Sequence, residues 1–503
     1  MRTAGVLLPI FSLPGKYGIG SLGEEAFRFA DQLHKAGQSF WQILPLGPTG
    51  YGDSPYQPFS TFAGNPYFID LSVFPEEILK KEAVEACRFG SDSPFIDYGT
   101  LYEERLPLLF QAYQVENYLG LESRYPDFTA FCNENAFWLS DYGLFMALKE
   151  EHGGRPWYEW EEGLRRHEEA ALLPYRKKLG DRIRFYCWLQ YHFARQWRKL
   201  RTYVNGLGIR FIGDLPIYVA LDSADVWGNP ELFQLDEARR PRFVAGVPPD
   251  AFSSDGQLWG NPVYDWEAHR RQGYDWWIKR IRHALSQLDL LRMDHFRGFA
   301  SYYRVPFGDT TAQNGNWEKG PGMELFRRLQ EVIPELPVIA EDLGILTDEV
   351  RELLLESGFP GMKVLEFAFD SEEESDYLPH RWQKNCVAYT GTHDNDTLCT
   401  WLDGLTEKKK ARAADYLCLQ GRKKQTVAER NETVIRMAFL SAADTVIIPF
   451  QDWKGLGAEA RINRPAAASG NWQWRMEEGA FDDGLARRMA HVTKLYGRMG
   501  ARR

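Results

Sequence analysis

The sequence has no apolar run approaching the roughly 18 residues that span a bilayer, so no transmembrane helix is expected. It has no excess of positive charge either. Its 60 Lys and Arg stand against 70 Asp and Glu, a formal net charge of −10. Such a mildly acidic chain lacks the global field that nucleic acid or an anionic membrane would require. Its six Cys, at 87, 132, 187, 386, 399 and 418, form no C-x-x-C pair, which argues against zinc and thioredoxin-type readings. Scattered over 503 residues, they read as reduced, mostly buried thiols, and a reducing cytoplasm is the expected location. The N-terminus, MRTAGVLLPIF, has one basic residue and an apolar run broken by Pro9. It lacks the apolar core and cleavage site of a signal peptide. Fixed-period repeats, low-complexity tracts and Gly/Ser linkers are also missing.

What is present is an ordinary globular balance, 44% apolar and 26% charged, with a high aromatic content of 14%. Part of that aromatic surface suits a ligand with apolar faces of its own, such as a sugar ring. Eight short apolar runs end in polar residues: Val6–Ile10, Phe40–Leu46, Ile209–Val219, Leu290–His295, Val338–Gly344, Met362–Phe367, Cys386–Asp394 and Thr445–Gln451. Continuous apolar runs of this length predict buried parallel strands. Helical patterns lie between them, with Ile278, Ile281, Leu285 and Leu288 on one face, and Leu325, Leu329 and Val332 on another. Eight strand-then-helix units predict a closed (β/α)8 TIM barrel. About 160 residues separate the second and third runs, too many for a bare loop, so 48–208 reads as an inserted, largely helical subdomain. Residues 221–289 read as a second insertion that carries a substrate-groove loop. Roughly 50 residues follow the last run, too few for a C-terminal β-sandwich.

Four runs carry carboxylates at or near their C-terminal ends: Asp214, Asp294, Glu341 with Asp342, and Asp394 with Asp396. In a barrel these ends meet on one face. A charged residue that ends an apolar strand is costly unless paired or functional. Singly, each could be a strand-end cap or a salt-bridge partner. Together with Arg292, His295 and His393 they point to a site. Clustered carboxylates without a nucleophilic Ser or Cys motif suggest glycosidic chemistry, which needs one carboxyl group protonated and one ionised. Arg292, two residues before Asp294, shares its side of the strand and would keep it ionised, as suits a nucleophile. Glu341 follows the apolar Val338-Ile339-Ala340, so burial would raise its pKa, as suits a general acid. Asp394 could bind sugar hydroxyls and steady a cationic transition state.

Three patterns compete. Gly18-Ile19-Gly20-Ser21-Leu22-Gly23 matches G-x-G-x-x-G, but it starts seven residues after Ile10, and the second run ends in Leu44-Pro45-Leu46-Gly47 instead of an acid. A dinucleotide site, and with it a doubly wound sheet, is disfavoured. His295, His393 and the carboxylates could ligate zinc, yet the ten His form no H-x-H or H-E-x-x-H. The run Lys408–Lys410 with Arg412 reads as a solvated helix face.

The chain resembles the amylomaltases, or 4-α-glucanotransferases, a branch of the α-amylase-like barrel enzymes. The resemblance runs through SLPGKYGIGSLG (12–23), GPTGYGDSPYQPFSTFAGNPYFIDL (47–71), GDLPIYV (213–219), PPDAFSSDGQLWGNPVYDW (248–266) and RMDHFRG (292–298). It continues through AEDLG (340–344), YTGTHDNDT (389–397) and GNWQWR (470–475), so it spans essentially the whole chain. It implies a TIM barrel that transfers α-1,4-glucan segments to glucose or another glucan, with retention and without metal or organic cofactor. It implies Asp294 as nucleophile, Glu341 as acid/base and Asp394 as transition-state stabiliser. Asp214, Arg292, His295 and His393 would hold the glucose at the cleavage site, and Tyr56 would stack under it. Trp259 and Asp250 would contact the glucan from a loop, Asn463 would help close over it, and Tyr51 would lie near the groove. Trp227, Trp276 and Trp277 read as core. After Pro465 the family pattern leads one to expect a Gly, where Ala466-Ala467-Ala468 stands. Two other readings remain open: an α-glucan hydrolase that uses the same residues, and a non-catalytic glucan-binding protein on a decayed barrel.

Overall fold

Short apolar strands with both faces covered pair in parallel, and eight of them here close into a barrel. The computed structural model describes residues 2–50, 52–87, 93–249, 254–344, 346–369, 375–417, 426–465, 467 and 469–500. In chain order the strands are β1 (Thr3–Leu7), β2 (Phe40–Gln42), β3 (Arg210–Leu215), β4 (Phe243–Val247), β5 (Gln257–Pro262) and β6 (Leu290–Met293). Then come β7 (Ser301–Pro306), β8 (Asn316–Lys319), β9 (Val338–Ala340), β10 (Gly361–Val364), β11 (Cys386–Tyr389) and β12 (Thr445–Pro449). The barrel order is β1-β2-β3-β6-β9-β10-β11-β12, and β12 closes on β1 with Thr3 beside Thr445 and Leu7 beside Pro449. Each of the eight apolar runs overlaps one barrel strand. The first is displaced: β1 begins at Thr3, because pairing with β12 draws the N-terminal residues into the ladder, while Ile10–Ser12 turns into a short 3-10 helix.

Side chains alternate across these strands. Leu7, Phe40, Ile212, Ile339, Met362, Val364, Val387, Tyr389 and Ile447 fill the barrel interior as one apolar cluster. The opposite faces meet helices. Helix Glu24–Lys35 buries Ala26, Phe29, Ala30 and Leu33, the i, i+3, i+4, i+7 stripe of a helix with one covered side. Phe29 packs 4.7 Å from Trp41 of β2, and Trp41 lies 5.1 Å from Phe211 of β3. Among the described residues between β2 and β3 are several helices, including the 27-residue helix Gly180–Gly206. Its far end returns to the barrel, where Trp197 sits 4.8 Å from Phe211.

β4, β5, β7 and β8 form a second, antiparallel sheet in the order β5-β4-β7-β8. No apolar run or turn motif marks this sheet in the sequence. β5 contains Gly260 at φ +77° and Pro262, which break a strand pattern, and every residue of β8 is at least partly exposed. The segment read as a loop over Pro248–Tyr264 therefore contains a strand. Beyond β12, no further strand occurs among the described residues; helix Asp483–Leu495 packs back on helix Glu24–Lys35. Among the described residues, no helix is long and apolar enough to cross a membrane.

Candidate active site

All eight barrel strands run the same way, so the residues at their C-terminal ends share one mouth. Asp214 lies in β3 beside Arg292 of β6; Asp294 and His295 follow β6, Glu341 follows β9, and His393 and Asp394 follow β11.

The buried centre is an ion cluster. Arg292 Nη1 donates to both Asp214 oxygens at 2.7 Å, and lies 2.9 Å from Asp294 Oδ1. The side chains of Arg292 and Asp214 are 3% and 0% exposed, whereas that of Asp294 is 27% exposed. One guanidinium nitrogen is thus shared between a sealed carboxylate and an open one. The Asp214 and Asp294 charges keep Arg292 firmly protonated against its burial. Tyr56 reaches the same cluster, its hydroxyl donating to Asp214 Oδ2 at 2.8 Å and standing 2.8 Å from His393 Nε2. The phenol has one proton to give, so His393 donates its Nε2–H to Tyr56. The Tyr56 ring stacks on His393 at 5.3 Å and 21°.

Glu341 accepts the His295 backbone N–H at Oε2 (2.7 Å) and the Leu343 N–H at Oε1 (3.0 Å). Burial nevertheless dominates: it pushes the Glu341 carboxyl from 4.5 up to about 8, with Arg292 pulling down and Asp294 pushing further up. Two carboxyl groups of the same mouth therefore differ in environment. One is salt-bridged and open, the other buried and proton-retaining, the pattern that separates an acid from an anion. Asp342, next in sequence, faces the other way. It accepts the Met362 N–H at 2.6 Å and is strand support.

His295 holds a left-handed backbone, φ 48°, that aims its N–H at Glu341. Burial lowers its ring to about 4, so it is a neutral imidazole. Trp259 of β5 meets the His295 ring edge to face at 4.8 Å. The Trp259 contact thus comes from a strand, which fixes it more firmly than the loop expected. Asp394 is steadied from the C-terminal part of the chain by Asn463, whose Nδ2 donates to its Oδ1 at 2.6 Å, and by its neighbour His393, whose Nε2 lies 3.3 Å from its Oδ2.

The structure thus brings together Asp294, Glu341, Asp394, Tyr56, Asp214, Trp259, Arg292, His295, His393 and Asn463. Asp250, Tyr51, Ala466 and Ala468 lie outside the described residues. Trp227, Trp276 and Trp277 are core, at 1%, 6% and 0% exposure. Sequence reasoning missed Arg461, which donates to Asp396 Oδ1, to the Asp394 carbonyl and to the Asn463 carbonyl at 2.5, 2.9 and 2.8 Å. Its place two residues before Asn463 was the available signal. Among the described residues, no group of three or more His, Cys, Asp or Glu side chains is set to hold a metal ion.

The G-x-G-x-x-G segment serves packing. A Cβ on Gly20 would fall 1.9 Å from the Ile10 carbonyl oxygen, and one on Gly23 would fall 2.4 Å from Asp70 Oδ2.

Comparison with known proteins identifies the family. A model of the 4-alpha-glucanotransferase family matches residues 8–481. The 4-alpha-glucanotransferase of Clostridium butyricum is 46% identical over 493 residues, covering 97% of this chain and 99% of its own. That of Thermus thermophilus is 47% identical over 498 residues, covering 98% and 99%. The solved amylomaltase of Streptococcus agalactiae in complex with acarbose shares 41% identity and a TM-score of 0.95, over 99% of this chain and 100% of its own. At such identity over nearly the whole length, the chain belongs to the 4-alpha-glucanotransferase family.

Proposed function

We propose that the chain moves α-1,4-glucan segments from a maltooligosaccharide donor to glucose or another glucan by a retaining double displacement. In the first displacement Asp294 attacks the anomeric carbon. The glycosidic C–O bond breaks, a glycosyl ester forms, and Glu341 gives its proton to the departing sugar oxygen. In the second, an acceptor hydroxyl loses its proton to Glu341 and opens the ester, restoring the α configuration. Asp394 steadies the cationic transition state. Tyr56, Asp214, Arg292, His295 and His393 orient the glucose at the cleavage site, Trp259 lines the glucan path, and Asn463 helps close it. Proton transfer from Glu341 and charge from carboxylates meet the needs of each step, so the scheme calls for no metal or organic cofactor. A relative solved in complex with acarbose supports an oligosaccharide as ligand.

The observation that carries the reading is the pairing of an Arg292-bound, open Asp294 with a buried, proton-retaining Glu341. Transfer is favoured over hydrolysis by the family match along residues 8–481. We also propose that 48–208 and 221–289 are insertions in a single 1–503 catalytic domain, and that the enzyme works in a reducing cytoplasm. The test is Asp294→Asn. An amide cannot form the ester, so turnover should fall by about 10⁴-fold or more, about 5 kcal/mol of barrier, while glucan binding survives. Activity within about tenfold of wild type would remove Asp294 from the mechanism.

A further inference from the structure

The segment that carries His393 and Asp394 leaves β11 and ends at helix Leu398–Gly404, and both its ends are tied to one buried carboxylate. Asp452 lies in the short helix Phe450–Lys454 behind β12 and is 1% exposed. Its Oδ2 accepts the Thr390 hydroxyl at 2.5 Å, and its Oδ1 accepts the Leu398 backbone N–H at 2.8 Å. Thr390 directly follows β11, and Leu398 is the first residue of the helix that closes the segment. The Leu398 N–H is one of the donors that a helix start leaves without an intrahelical partner. Thr397, at the N-cap position, makes no side-chain capping bond, so Asp452 fills that role from another element.

Between these anchors the segment braces itself. Thr392 donates its N–H and its hydroxyl to Asn395 Oδ1, at 2.9 and 2.8 Å. Asp452 is in turn fixed by Asn431, whose Nδ2 donates to its backbone carbonyl at 3.2 Å. Its neighbour Gln451 donates to the carbonyl of Ala460, at the base of the segment that supplies Arg461 and Asn463. A carboxylate sealed in this way is an expensive filler. Burial pushes it up to about 6, with the Thr390 and Leu398 bonds pulling back. An apolar side chain would fill the space at lower cost but would leave both donors unmet.

We propose that Asp452 is a positioning residue for the transfer reaction: by holding Thr390 and Leu398 it sets the register of the segment that presents Asp394 and His393 to the sugar. The proposal rests on the reading of Asp394 as transition-state stabiliser. Asp452 touches no substrate, so its effect runs through Asp394.

The experiment is a double-mutant cycle on maltotriose disproportionation with Asp452→Ala, Asp394→Ala and the double variant, together with Asp452→Asn. Asp452→Ala is expected to lower kcat about 30-fold or more with KM within about threefold, because transition-state alignment is lost while substrate binding persists. The double variant should be no more than about twofold slower than Asp394→Ala alone, since the two residues act as one unit. Asp452→Asn should recover to within about tenfold of wild type, because its carbonyl can accept Leu398 N–H while the Thr390 hydroxyl turns to accept from the amide. Should Asp452→Ala fail to fold, Thr390→Val removes one anchor and should lower kcat about tenfold, again non-additively with Asp394→Ala. If Asp394→Ala alone stays within about tenfold of wild type, the reading of Asp394 fails and the proposal fails with it. If Asp394→Ala is slow but the losses multiply, fall on KM, or are not recovered by Asn, Asp452 is structural only and the proposal is overturned.

Discussion

Glu341 is the residue whose chemistry depends most on its surroundings. The first displacement needs its proton. Burial raises the carboxyl from 4.5 to about 8, so the proton is held at neutral pH and lost as pH rises through about 8. kcat/KM for maltotriose is therefore expected to be flat through neutrality and to fall about tenfold per pH unit above that point. With an activated glycosyl fluoride donor, Glu341→Gln should lose this alkaline limb, since no leaving-group proton is required. An alkaline limb that begins near pH 5 would show that burial does not set the acid. Arg292 makes the complementary case. Its guanidinium neutralises Asp214, whose side chain is 0% exposed, and removing it leaves a buried charge without its partner. Arg292→Met should abolish turnover and lower unfolding free energy by about 3–5 kcal/mol in denaturant titrations. A variant as stable as wild type would mean that Asp214 is buried protonated.

At the scale of elements, strand ends were legible and side sheets were not. Continuous apolar runs that finish in Asp, Glu or Arg located Asp214, Arg292, Asp294 and Glu341, because a barrel interior permits charge only at its mouth. The side sheet of β4, β5, β7 and β8 left no such trace. Its pairing is antiparallel, it is partly exposed, and Gly260 and Pro262 interrupt its edge strand. Arg461 was missed for a related reason: its place beside Asn463 was visible, but no spacing records that it meets the Asp396 carboxylate and the carbonyls of Asp394 and Asn463. The glycine pattern at 18–23 shows the reverse error that a motif invites. Gly20 is required by the approach of the Ile10 carbonyl, where a Cβ would sit 1.9 Å away. Gly20→Ala should cost about 1–3 kcal/mol or more of stability by overpacking, read as a drop in Tm, with no change in nucleotide affinity because none is expected. An unchanged Tm would contradict the packing role.

At the scale of the whole molecule, the question is how a barrel with glycosidase-like carboxylates passes its glycosyl group to sugar when water is present at about 55 M. The mouth offers material for a cover. Trp259 stands on a strand of the side sheet, and Asn463 and Arg461 reach across from the C-terminal part of the chain to Asp394. These elements come from distant parts of the sequence, so acceptor binding and water exclusion depend on the complete fold. The most direct measurement is a product time course with maltotriose as the sole substrate, following oligosaccharide lengths and total reducing ends together. Transfer should give glucose plus a ladder of longer maltooligosaccharides, with reducing ends nearly constant. Reducing ends that rise in step with maltotriose loss, with no product longer than the substrate, would contradict it.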